Sequence, residues 1–314
     1  ALEGLIFLAI YNALVRQHPG KNLIEMNELV FGSFLGKVVS WLYLLFFLFV
    51  SAMLLRTFAS FFAIIMTSTP LMVFLITPLV VSSFAVRSGL EVLARYSQIV
   101  LMTLVLLFCL ESILLAQDMD PSNLLPFMDI PISEMLLAIQ NVAAIPFGEA
   151  IVFLIFINLV SAPLEAGRFM RRSFLFSGIL LVLYAVRTIA VLGTHSTIST
   201  YPAFAAVRII NIGEVFTRLE ILLAVVFLSL GFVKGSVFYY GAVLGFSQLL
   251  KMRSHTPLIL PIGALLLNIS TLLFDEYIDA NMLFPLYSMV FAFFLPLLTL
   301  IVAKIQKRRT QKGE

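Results

Sequence analysis

The sequence predicts an all-α polytopic membrane protein, and three observations carry that prediction. The chain is 61% hydrophobic and 12% charged, about half the charge of an average soluble domain. Its apolar residues gather into runs of bilayer-crossing length, for which about 20 helical residues are needed. The polar connections between those runs alternate between basic and acidic or neutral.

The runs fall at 1–15, 38–66, 71–86, 96–116, 136–160, 174–192, 219–250, 257–274 and 283–303. The first is short for a full span, and the expectation is that sequence precedes it. The runs at 38–66 and 219–250 exceed an upright span and are expected to tilt or protrude. Basic residues occupy alternate connections: Arg16, Lys21 and Lys37; Arg87 and Arg95; Arg168, Arg171 and Arg172; Lys251 and Arg253; and a tail with Lys304, Lys307, Arg308, Arg309 and Lys312. The intervening connections carry Asp118, Asp120, Asp129 and Glu134, then Asp275, Glu276 and Asp279. Basic residues near span ends mark the cytoplasmic side, so each connection agrees with strict alternation. Residues 1–314 are read as one transmembrane helical domain, with a cytoplasmic basic tail at 305–314.

Two connections carry structure of their own. Residues 23–34 set Glu25 and Glu28 against Leu23, Ile24, Leu29 and Val30, as a short interfacial helix does. Residues 199–213 place Tyr201, Phe204, Val207 and Ile210 at roughly helical spacing. They read as an outer helix over a cavity mouth, or as a surface loop.

The most informative feature is Pro146-Phe147-Gly148-Glu149 inside the run at 136–160. Proline cannot donate to a helix ladder and glycine loosens it. An intramembrane carboxylate is expensive and marks function. Interrupted helix is tolerated in lipid only against protein or a cavity, and such breaks line midplane binding sites. The competing reading is a kinked helix whose Glu only packs. Other ionisable residues within the runs are Arg56, Glu111, Arg187, Glu220 and Lys234. Arg56 and Arg187 lie in outer halves, within snorkelling reach of the interface. Glu111 and Glu220, near outer ends, read as solvated. Glu149 and Lys234 lie far from both ends, so each needs a partner or must be neutral. A shared polar interior is the economical expectation.

The candidate ligand site is therefore Ile145, Pro146, Phe147, Gly148 and Glu149, with Ser51 and Ser229 as mid-span hydroxyls. Lys234 and Arg56 are the candidate charge-coupling residues. Freed amides attract carboxylates and freed carbonyls attract ammonium groups, which suits a zwitterionic amino acid. Each serine has the alternative of bonding back to its own helix. Cys109 is the one cysteine and sits in an apolar run, so no disulfide forms within the chain. Metalloprotease, Walker A and nucleophile-elbow motifs are absent, and His18, His195 and His255 fall in connections. No enzyme activity, cofactor, metal site or nucleic-acid partner is expected. The stretch from Gly36-Lys37 through Arg56 to Phe61-Phe62 loosely matches that from Gly213-Glu214 through Lys234 to Tyr239-Tyr240, in opposite orientation, as an inverted repeat would.

A set of short blocks runs along the chain in order. They are Pro19-Gly20-Lys21, Thr69-Pro70, Gly89-Leu90-Glu91 with Arg95, Asn123-Leu124-Leu125-Pro126, Pro146-Phe147-Gly148-Glu149, Tyr201-Pro202-Ala203-Phe204 with Val207-Arg208, Ile212-Gly213, Arg218-Leu219-Glu220 and Gly231-Phe232-Val233-Lys234. By these blocks the chain resembles the B subunits of spore germinant receptors, the spore permease family of the amino acid–polyamine–organocation superfamily. The resemblance implies a LeuT-like fold of ten helices in two inverted repeats, about nine of them visible here. It implies an integral protein of the spore inner membrane acting with A and C subunits. It implies that a nutrient germinant, commonly an amino acid, is sensed and triggers germination. On that mapping 136–160 is the broken sixth helix, 219–250 is the eighth, and the first helix, which supplies part of the ligand cage, is missing. The alternative function is a proton-coupled amino acid permease of the same fold.

Overall fold

The computed structural model describes residues 2–126, 129–209, 219–273 and 284–312, and among them all regular structure is helical. Helix α1 is Leu2–Gln17. It stops ahead of Pro19-Gly20, where Gly20 takes the positive φ of +75° that closes the turn. Helix α2, Leu23–Ile65, begins on a reciprocal cap: Asn22 accepts from the Glu25 N–H, and Glu25 accepts from the Asn22 N–H. Helices α3 (Leu71–Ser88) and α4 (Leu90–Leu114) follow, separated at Gly89 with φ +96°.

Next come α5 (Ile132–Val142), α6 (Pro163–Leu192), the short α7 (His195–Ile198) and α8 (Pro202–Val207), then α9 (Leu219–Leu249) and α10 (Ile259–Leu272). The last is α11, Leu295–Lys312. Among the described residues, seven segments are long and apolar enough to cross a membrane: Leu23–Ile65, Leu71–Ser88, Leu90–Gln117, Ile132–Ile155, Glu165–Leu192, Ile221–Leu249 and Phe284–Arg308. Two other expected crossings are helical but shorter, α1 with 16 residues and the segment Thr256–Leu272. The chain is an integral, all-α polytopic membrane protein.

The segment expected as a short helix at 23–34 is helical, as the first arm of α2. Its axis breaks at Gly32, where φ +81° and ψ 176° lie in a region open to glycine alone. Leu23, Ile24, Met26 and Val30 are buried, so this arm packs on protein. The fold-back is tight: a Cβ on Gly36 would sit 2.5 Å from the Glu28 Cα. Two long-range bonds hold the arm, from Asn22 Nδ2 to Gln248 Oε1 (3.0 Å) and from Gln306 Nε2 to the Val30 carbonyl (2.8 Å).

The described chain divides into two compact units. One comprises Ala1–Ser88, Ile132–Leu175 and Lys234–Glu314; the other comprises Gly89–Pro131 and Phe176–Val233. The core of the first is aromatic. Phe46 stacks on Phe291 at 4.6 Å with ring planes 7° apart, and Phe238 and Tyr287 close around them edge-on or tilted.

The second unit buries Leu115, Leu192, Ala206 and Val207 together. The C-terminal end of α6 is capped from the loop that follows α4, because the Asp120 N–H and Asn123 Nδ2 both donate to the Ala190 carbonyl at 3.0 Å. The Ser122 hydroxyl and N–H hold the Asp120 carboxyl below its usual range. Within 199–213 a helix forms at Pro202–Val207, preceded by the separate turn His195–Ile198. Residues 210–213, with Glu214, Arg218, Asp275, Glu276 and Asp279, lie outside the described residues, so the start of the second half of the inverted-repeat match, Gly213-Glu214, does too.

The Gly32 break and the Gly36 approach separate two costs. Gly32→Ala meets no atom within 4 Å but places an alanine in a glycine-only region, at about 1–3 kcal/mol. Gly36→Ala drives a methyl into backbone that cannot move aside. Thermal unfolding in detergent is expected to show the larger loss for Gly36→Ala.

Candidate functional site

The site lies within the first unit and is organised by two prolines. Pro146 has no N–H to give the Val142 carbonyl, so the α ladder beyond α5 slips by one residue. The result is a π turn at Ala143–Phe147, in which the Gly148 N–H reaches back five residues to Ala143. A 3-10 run of eight residues follows at Gly148–Ile155, then a short one at Ile157–Leu159. The same event recurs in the last span. Pro296 has no N–H for Ala292, and a π turn at Val290–Phe294 precedes it, with the Leu295 N–H on the Val290 carbonyl.

Each slip deprives a carbonyl of its α donor, and in a bilayer such a group must be satisfied from within the protein. Side-chain hydroxyls do this. The Ala144 carbonyl, whose α donor was the Gly148 N–H, accepts from Ser288 Oγ at 3.2 Å. The Phe291 carbonyl, whose α donor was the Leu295 N–H, accepts from the Tyr43 hydroxyl at 3.4 Å. The Tyr11 hydroxyl reaches both turns, at 2.6 Å from the Ala292 carbonyl and 3.1 Å from the Gly148 carbonyl. The turns can approach this closely because residue 148 is glycine: a Cβ there would lie 2.6 Å from that of Ala292. An interrupted helix was expected to offer its freed peptide groups to a solute. These four carbonyls are instead occupied by hydroxyls of the protein.

Glu149 is the residue after that glycine. It is 4% exposed, and its Oε2 contacts Lys234 Nζ. Burying a carboxylate without a counter-charge is prohibitive, so the pair explains how an acid can sit there. The Lys234 side chain is 36% exposed and forms the accessible end of the pair. A Cβ on neighbouring Gly235 would meet nothing within 4 Å, so α9 is open beside the ammonium.

Below it, α9 is bound to its neighbours by hydroxyls. Ser51 Oγ donates to the Gly235 carbonyl (3.1 Å), Ser236 Oγ to Ser82 Oγ (3.0 Å), and the Tyr239 hydroxyl to the Ile259 carbonyl. A small cleft of about 10 Å³, room for about one water, lies beside the 3-10 run, lined by apolar groups with Tyr11 and Asn12.

The sequence-derived candidates are distributed as follows. Gly148, Glu149, Ser51 and Lys234 come together in this region. Ile145 is half-buried and Pro146 is exposed, so the proline shapes the turn from outside. Phe147 is buried against Phe174, with ring centroids 5.2 Å apart, and against Gly4. Arg56 is half-buried, five residues beyond Ser51 on α2. Ser229 belongs to the other unit, where its hydroxyl bonds the Val225 carbonyl of its own helix at 2.8 Å. Among the described residues, no group of three or more His, Cys, Asp or Glu gathers in a way that could hold a metal.

The second unit corrects two expectations. Glu111 is not solvated and Arg187 does not snorkel: they are 7% and 4% exposed and form an ion pair at 3.2 Å. Arg187 Nη1 also reaches Ser112 Oγ (3.3 Å), and its guanidinium lies over the Phe108 ring at 4.6 Å. The pair ties α4 to α6. The side chain of Glu220 lies outside the described ones. The sequence reading also passed over Tyr11, Tyr43 and Ser288. Pro296 was the available signal, since a proline inside a span frees a carbonyl that some hydroxyl must reach.

The match to known proteins covers nearly the whole chain. The family model described as "Spore germination protein" matches residues 1–277. Spore germination protein KB of Bacillus subtilis (strain 168) is 28% identical over 99% of this chain and 86% of its own length. Spore germination protein YndE of the same organism is 23% identical over 94% of this chain and 82% of its own.

A double-mutant cycle tests the ion pair. Lys234→Met strands a buried carboxylate and is expected to cost on the order of 2–3 kcal/mol, below the 3–5 kcal/mol of a fully buried pair. Adding Glu149→Gln should recover much of that loss in denaturant or thermal unfolding. Additive effects would mean the two residues do not interact.

Proposed function

The chain belongs to the spore permease family, and from that premise we propose that it is the membrane subunit of a germinant receptor whose Glu149–Lys234 pair recognises a small zwitterionic nutrient, an amino acid foremost. The observation that carries this reading is a buried acid held on a partly open lysine, directly after a π turn. An amino acid brings one ammonium and one carboxylate. Entering beside Gly235, it exchanges the single protein ion pair for two, its ammonium on Glu149 and its carboxylate on Lys234. Each buried charge stays compensated throughout, which the cost of unpaired intramembrane charge requires. Selectivity against molecules bearing only one charge follows from the same accounting.

Occupancy biases a rearrangement by the difference in ligand affinity between two states. We assign the read-out to A and C partner subunits, the location to the spore inner membrane and the helix arrangement to a LeuT-like inverted repeat, following the resemblance in the sequence. Arg56 and Ser51 contribute polarity along α2.

A titratable acid paired to a lysine is also what proton-coupled uptake needs, so the second reading is an amino acid permease with the same site. Purified protein in liposomes under a pH gradient separates the two. Concentrative uptake of labelled amino acid selects the permease, and binding without uptake selects the receptor. For the receptor, spores carrying Glu149→Gln, tested against an amino-acid panel, should need at least roughly tenfold more nutrient, as loss of one charge-assisted contact implies. Unchanged responses to every nutrient that triggers the parent spores would defeat the reading.

A further inference from the structure

We propose that Tyr11 is a positioning residue: its hydroxyl latches two opposed π turns in the one helix register that places Glu149 on Lys234. The proposal deepens the functional reading above, but its geometry stands without it. A π turn is an α-helix carrying one extra residue. Removing that slip turns everything beyond it by about 100°. Glu149 is the second residue beyond the turn at 143–147, so the α register carries its carboxylate off Lys234. The segment is suited to such a change. The run after the turn keeps 3-10 geometry for eight residues, where runs beyond 3–4 are uncommon.

Tyr11 is the residue that sees both turns. It is 1% exposed and its ring is packed, so its hydroxyl has a fixed place. That hydroxyl carries one proton and faces two carbonyls, 2.6 Å from Ala292 and 3.1 Å from Gly148. The bond to Gly148 is the longer and yields first. When it yields, Ala292 keeps its donor, and no carbonyl of the last span is stranded. Ser288 and Tyr43 each serve one turn only. Ser288, two residues ahead of the second turn, ties the last span to the first turn at Ala144, whereas the Tyr11 hydroxyl contacts a carbonyl at each turn.

Lysine acylation reads the register directly, because an ammonium held by a carboxylate is a poor nucleophile. The whole chain in lipid nanodiscs is treated briefly with acetic anhydride, and Lys234 modification is measured by mass spectrometry against exposed Lys251. In Tyr11→Phe, Lys234 labelling is expected to rise roughly three- to tenfold, the population shift set by loss of one hydrogen bond. Tyr43→Phe, which removes the α2 hydroxyl that serves the last span at Phe291, leaves it unchanged. Gly148→Ala forces the turns apart and raises labelling, and adding Ala292→Gly brings it back. The Gly148→Ala/Ala292→Gly comparison stands even if Tyr11→Phe does not fold.

Wild-type labelling in folded Tyr11→Phe overturns the proposal, as does an equal rise in Tyr43→Phe. So does a Gly148→Ala effect that Ala292→Gly fails to reverse. No nutrient enters this experiment. Normal germination of Glu149→Gln spores would therefore remove the functional reading and leave the register switch standing.

Discussion

Two prolines without N–H groups set the architecture of this protein's interior. In water the loss of a ladder hydrogen bond is made good by solvent. In a bilayer it must be made good by the protein. Pro146 and Pro296 therefore each favour a slipped turn, and each turn needs a hydroxyl within reach. Tyr11, Tyr43 and Ser288 answer that demand, and they bring α1, α2 and the last span against the interrupted helix. Gly148 permits the contact because nothing larger fits opposite Ala292. The position of Glu149 follows from the register this leaves, and Lys234 follows from Glu149.

Two intramembrane ion pairs serve different ends. Arg187 and Glu111 are buried together, with the arginine further held by Ser112 and the Phe108 ring. A pair so enclosed fixes α4 to α6 and has no opening for exchange. Glu149 and Lys234 are asymmetric: the acid is enclosed and the base is partly open. That asymmetry is what a ligand-exchanging pair requires. One charge must be reachable, while the other must be unable to find water when the ligand leaves.

The sequence made some of this legible and concealed the rest for physical reasons. Glu149 and Lys234 stood out because depth within an apolar run and opposite sign are both one-dimensional properties. Pro146 stood out because a missing donor is a property of the residue itself. The capped arm of α2 was readable from its local amphipathic pattern. Arg187 and Glu111 were misread because distance to a span end was taken as distance to water, whereas packing of α6 on α4 seals both. The hydroxyl caps were out of reach because Tyr11 finds its acceptors 137 and 281 residues away. Ser229, by contrast, adopted the local back-bond that sequence spacing alone allows.

The central claim is that a zwitterion replaces the internal partner of a buried acid. Solid-state NMR on the full chain in lipid, measuring the dipolar coupling between Glu149 Cδ and Lys234 Nζ, addresses it most directly. A strong coupling is expected in the free protein, weakening as a bound amino acid separates the two groups. A coupling that stays the same at saturating, independently verified occupancy would contradict it.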